Sequence, residues 1–166
     1  MIGNDIVDLV QSRKDSNWRR RGFVTKIFNE NEQLLIANSH DPEIVVWLLW
    51  SMKEAAYKIW NRETRNRKYA PNKLICSIVK KSCDSAVGEV VFEGSHYYTN
   101  TIVNPDFIHT IAVKVFDHLD HVVELERCQV VKDPLGLPGI ATEGRRELLP
   151  VSISNHGRFE KIVGVL

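Results

Sequence analysis

The sequence predicts an α+β domain with helices packed on a largely antiparallel sheet, and three observations predict it. Helical spacing is concentrated between residues 29 and 61, runs of β-branched residues fill the chain beyond residue 74, and the two do not alternate strictly. At 166 residues the chain is long enough to enclose one core, so residues 1–166 read as a single domain.

Ile2 to Leu9 reads as an opening strand, followed by a basic stretch, SNWRRRGF, at 16–23. Asn29 is placed to cap a helix over ENEQLLIAN, since a side-chain oxygen just ahead of a helix accepts one of its unpaired amide protons. The next helix is the best marked. Asp41 suits its N-cap, Pro42 its first position, where no amide donor is needed, and Glu43 its positive first turn. It is expected to run to about Trp60. Beyond the polar RETRNRK at 62–68, strands are expected at Leu74 to Val79, Glu89 to Phe92, Tyr97 to Val103, Ile108 to Phe116, Gln129 to Val131, Val151 to Ser154 and Ile162 to Leu166. DPLGLPG at 133–139 reads as a loop.

The central helix has two unlike faces. Val45, Leu48, Leu49, Met52, Ala56 and Ile59 share one side, as a helix lying on a sheet requires. Glu43, Trp47, Trp50, Glu54, Tyr57, Lys58 and Asn61 collect on the other. On periodicity alone, Glu54 and Lys58 read as a surface pair at i, i+4.

Composition narrows the classes of function. Hydrophobic residues make up 43% and charged residues 26%, which is ordinary for a globular protein. Lys and Arg number 22 against 21 Asp and Glu, so no charge excess argues for a nucleic-acid or membrane partner. The longest apolar run, Ile44 to Trp50, falls far short of the roughly 20 residues of a spanning helix. No basic and apolar leader opens the chain, and Cys76, Cys83 and Cys128 form no CxxC pair. A cytoplasmic, reducing location is the expectation.

WSMKEAAYK at 50–58 is similar to the W-x-x-K-E-A-x-x-K signature of the 4′-phosphopantetheinyl transferase superfamily. GNDIVDL at 3–9 resembles its G-x-D-I motif, Phe28 and Glu32 its F-x-x-x-E pattern, VSISNH at 151–156 its S-x-S-H segment, and Gly136 to Pro138 its G-x-P turn. The resemblance implies a single copy of that family's fold, nearest the short holo-acyl-carrier-protein synthase type. It implies that Asp5 and Glu54 bind Mg²⁺ with the pyrophosphate of coenzyme A, and that Lys53 and Lys58 face phosphate oxygens. Mg²⁺ favours hard oxygen ligands and is often held by one or two carboxylates plus substrate phosphates. A serine hydroxyl of an apo acyl or peptidyl carrier protein would attack the β-phosphate and release 3′,5′-ADP. Single-copy members place the site between subunits, so a homo-oligomer is expected, most simply a trimer.

Several assignments stay open at the sequence level. The proton of the serine could go to Glu54 through a water, to Glu32, or to a hydroxide on the metal. Ser154 falls in the C-terminal motif, but Asn155 occupies its histidine position. Either His156 reaches the phosphates through a bulge, or Asn155 supplies a neutral hydrogen bond. Val7 stands where longer members carry a third carboxylate, and Asp8 on a strand points away from Asp5. Arg19 and Arg20, with Arg21, could hold the adenosine 3′-phosphate or meet an acidic carrier helix. Two other classes remain: a family member that binds carrier protein without chemistry, and a nucleic-acid-binding module built on the basic patches and aromatics.

Overall fold

In a computed structural model the structure describes residues 1–134, 136–142 and 147–166. The chain opens with β1 (Ile2–Asp8) and continues through α1 (Leu9–Asp15), α2 (Phe23–Ile27), α3 (Glu30–Ala37) and α4 (Pro42–Thr64). Four strands follow: β2 (Ile75–Lys81), β3 (Ser85–Phe92), β4 (Ser95–Val103) and β5 (Phe107–Val113). The last part holds β6 (Val122–Glu124), β7 (Val131–Lys132), β8 (Pro138–Ile140), β9 (Leu149–His156) and β10 (Phe159–Val165). Short 3-10 turns occupy Pro71–Lys73, Phe116–His121 and Arg127–Gln129. The architecture is α+β with two antiparallel five-stranded sheets, ordered β1-β5-β4-β3-β2 and β6-β10-β9-β8-β7.

The expected caps form. Asn29 accepts the Glu32 amide at 3.0 Å while the Glu32 carboxylate accepts the Asn29 amide at 3.0 Å, a reciprocal box that starts α3. Asp41 accepts the Ile44 amide at 3.3 Å ahead of Pro42. α4 runs four residues past Trp60, ending at Thr64, where Arg65 closes it in the left-handed region with φ 54°. Its aliphatic face, Val45, Leu48, Leu49, Met52, Ala56 and Ile59, is buried in the main core against the first sheet.

α4 lies so close to β1 that a methyl group at Gly3 would sit 2.0 Å from the carbonyl oxygen of Ala55. Only a residue without a side chain permits that approach. It brings the middle of β1 within reach of the polar side of α4.

Some boundaries differ from expectation. Gln129 belongs to a 3-10 turn, and only Val131–Lys132 pair as a strand there. Part of the expected 133–139 loop, Pro138 and Gly139, pairs in β8, while Leu135 lies outside the described residues. β5 ends at Val113, and Phe116 starts a 3-10 turn. α1 is capped by Asp8, whose Oδ1 accepts the Val10 and Gln11 amides at 2.9 and 3.2 Å.

Candidate active site

β1 is an edge strand of the first sheet, so alternate amides on its free side need partners. β9 of the second sheet supplies them with side chains. The Asn4 amide donates to Ser152 Oγ at 2.9 Å, the Ile6 amide to Ser154 Oγ at 3.1 Å, and the Asp8 amide to His156 Nδ1 at 2.9 Å. Strand side chains repeat every second residue, so Ser152, Ser154 and His156 share one face. The register of β9 against β10 is regular through His156. The bulge considered for His156 is therefore not needed; S-x-S-x-H is the strand's own period.

This seam places Asp5 at the edge of a cavity of about 370 Å³ that is also lined by Trp47, Trp50, Glu54, Asn155 and His156. Ser12, Asp15 and Ser16 close it from the α1 side. Ser154 Oγ donates to Asp5 Oδ1 at 3.1 Å, and Ser51 Oγ to the Asp5 carbonyl at 3.2 Å. Lys58 Nζ lies 3.6 Å from Asp5 Oδ1 and donates to the Asn4 carbonyl at 2.6 Å. The expected i, i+4 pairing of Lys58 with Glu54 is replaced by this reach across to β1.

Burial first, and then the nearby Glu54 charge, hold the Asp5 acid up at about 6 against the lowering effect of Lys58, Ser154 and Ser51. Two carboxylates that share a cavity and repel each other suit a divalent cation, which removes that repulsion. Among the described residues no cluster of three or more His, Cys, Asp and Glu is placed to hold a metal. A pair is enough for Mg²⁺, whose remaining positions go to waters and phosphate oxygens. Asp5 and Glu54 therefore fit that ion.

Tyr69 was not singled out from the sequence. Its ring meets Trp50 and Tyr57 edge-on at 6.3 and 4.7 Å. Its phenol stays protonated beside Glu54, a hydrogen-bond donor to that carboxylate. It lies in an irregular segment after α4, where no periodic signal exists.

Lys53 and Glu32 do not line this cavity. Both are fully buried, Lys53 Nζ sitting 2.8 Å from Glu32 Oε2 and donating to the carbonyls of Pro71, at 2.9 Å, and Leu74. Glu32 also accepts the Cys76 amide at 2.8 Å. The structure thus places Lys53, expected on phosphate, and Glu32, expected as a base, against each other in the core rather than at the cavity, with their charged groups engaged there. The signal was available, since five residues turn a helix by about 140° from Lys53 to Lys58.

Asp8 also stands apart from Asp5, as expected. Arg158 donates to it from Nε at 2.9 Å and from Nη2 at 3.0 Å, holding its carboxyl far below the usual range. Arg19 and Arg20 are exposed, lying over the Trp18 and Phe23 rings at 4.2 and 5.4 Å, and they do not line the cavity.

No curated protein matches the chain. A family model described as the 4′-phosphopantetheinyl transferase superfamily matches residues 1–101. That range carries Asp5 on β1 and Glu54 and Lys58 on α4, and this chain is a member of that superfamily.

Proposed function

We propose that this protein transfers the 4′-phosphopantetheine arm of coenzyme A to a serine hydroxyl of an apo carrier protein. The serine oxygen bonds to the β-phosphorus, the bond to the bridging oxygen breaks, and 3′,5′-ADP leaves. The observation that carries this reading is the convergence of Asp5 and Glu54 on one cavity, with Lys58 3.6 Å from Asp5.

Mg²⁺, when bound by Asp5 and Glu54, supplies positive charge to a pyrophosphate that gains negative charge on its leaving oxygen. Lys58 neutralises Asp5 in the free protein, and its ammonium stands close enough to that carboxylate to donate to a phosphate oxygen bound beside it. His156 offers a second donor: with Nδ1 accepting the Asp8 amide, its neutral ring carries the proton on Nε2. Glu54 takes the serine proton through a water, since Glu32 is sealed in the core. The whole described chain serves as one transferase unit, acting as a homo-oligomer, with the trimer as the expected mass in light scattering.

Calorimetric titration of coenzyme A with and without Mg²⁺, followed by mass spectrometry of candidate apo carriers, tests the proposal. Mg²⁺-dependent binding and a carrier mass increased by one phosphopantetheine arm are expected. Binding of carrier without any mass gain would replace the enzyme with a non-catalytic partner.

A further inference from the structure

Asp5 and Glu54 face the same cavity, but their carboxylates are supported differently. Asp5 has Lys58 at 3.6 Å and a hydrogen bond from Ser154 Oγ at 3.1 Å. Because Lys58 reaches across to β1, Glu54 is left without an ion pair among the described residues. A glutamate side chain that lines a cavity unsupported spreads over several rotamers, and holding it in one costs entropy.

The support comes from Tyr69. Past Thr64 the chain turns back through Arg65, at φ 54°, and Asn61 Nδ2 ties the returning segment down by donating to the Asn66 carbonyl at 2.6 Å. The Tyr69 ring then meets Trp50 at 6.3 Å and Tyr57 at 4.7 Å, both edge-on. Trp50, Glu54 and Tyr57 follow one stripe of α4 at spacings of four and three residues, so a ring seated on both aromatics straddles Glu54. Tyr57 is stacked on Trp60 at 5.9 Å, and Trp60 meets Phe92 at 4.9 Å, which roots the rings in the main core. With its ring fixed by two neighbours, Tyr69 donates its hydroxyl to the Glu54 carboxylate.

We propose that Tyr69 is a positioning residue for the metal site, its hydroxyl holding one oxygen of Glu54 and leaving the other free for the cation shared with Asp5. The assignment rests on reading this cavity as the Mg²⁺ and coenzyme A site. An ionised carboxylate accepts at both oxygens, so one can be held by a donor while the other serves a metal. A phenol suits that task better than a lysine, because it orients the carboxylate without cancelling the charge that attracts the cation. Hydrogen-bond partners of metal ligands typically carry about 10–100-fold in metal affinity.

Titration of Mg²⁺ into the wild type, Tyr69→Phe and Tyr57→Phe with excess coenzyme A, well below the Tm, tests the proposal. Tyr69→Phe keeps the ring and its contacts and removes the hydroxyl. It is expected to raise the Mg²⁺ midpoint about ten-fold with a Tm within about 2 °C of the wild type, while Tyr57→Phe shifts the midpoint less than about two-fold. An unchanged midpoint in Tyr69→Phe would overturn the proposal, whatever its Tm. So would an equal rise in Tyr57→Phe, which would assign the effect to the ring cluster, or a rise accompanied by a Tm loss beyond about 5 °C, which would assign it to a loosened fold. Should the wild type bind no coenzyme A, that reading falls by itself. Mn²⁺ alone, counted by electron paramagnetic resonance, then decides on Tyr69: its role stands if Tyr69→Phe binds Mn²⁺ about ten-fold more weakly than the wild type. It falls if the two proteins bind Mn²⁺ equally or neither binds it.

Discussion

His156 accepts the backbone amide of Asp8 through Nδ1 at 2.9 Å, joining the last residue of β9 to the last residue of β1. Its other nitrogen, Nε2, lies 3.7 Å from Asp15 Oδ2 at the cavity wall. One hydrogen bond thus closes the seam between the sheets and orients the imidazole.

His156→Ala is expected to leave the Asp8 amide unpaired at a cost of about 1–2 kcal/mol, read in denaturant melts. It should also weaken coenzyme A binding several-fold. Asn155→Ala, at an exposed position, should change stability by less than about 0.5 kcal/mol. The opposite ranking would show that Asn155, not His156, is the residue that matters.

Asp5 predicts a pH signature. With its acid raised to about 6, the folded protein holds a proton between about pH 4 and 6 that the unfolded chain has released. The stability due to this group is present below about pH 4 and lost as pH rises through 6. In Mg²⁺-free buffer, Asp5→Asn should therefore be more stable than the wild type by about 1–3 kcal/mol at pH 7.5 and no more stable at pH 3.5. The same change should abolish the Mg²⁺ dependence of coenzyme A binding. A destabilised Asp5→Asn at pH 7.5 would contradict the electrostatic account.

Lys53→Met should lower stability by about 3–5 kcal/mol, because it leaves the Glu32 carboxylate buried without its counter-charge. Coenzyme A affinity per folded molecule, measured well below the Tm, should change little. A normal Tm with lost affinity would return Lys53 to the phosphate site.

Gly3→Ala drives a methyl group against the Ala55 carbonyl, a backbone atom that cannot swing aside. A loss of about 1–3 kcal/mol is expected, lowering Tm by roughly 3–10 °C in a chain of this size. An unchanged Tm would mean that α4 can move off β1.

Much of the site was legible residue by residue. The local signals of α4, its Asp-Pro-Glu start and its aliphatic stripe, agree with one another, which is why its fold and orientation were readable. The early carboxylate, the helical carboxylate and the lysine at i+4 were identified by their motifs, and the structure brings Asp5, Glu54 and Lys58 together. Tyr69 was not legible, because a residue in an irregular segment carries no periodicity. Nor was α1, whose seven residues are held by the Asp8 cap rather than by an apolar pattern.

By itself the sequence determined the α+β class, the capped central helix with its buried face, and the family motifs, all of which depend on neighbours a few residues apart. Only the tertiary structure decided which lysine serves the core and which the cavity, and that Ser152, Ser154 and His156 substitute for a missing strand beside β1. Those choices depend on partners such as Asp5 and Ser154, separated by most of the chain, and on the burial that gives Asp5 its raised acid. No local pattern encodes such a pairing; it exists once the two sheets meet.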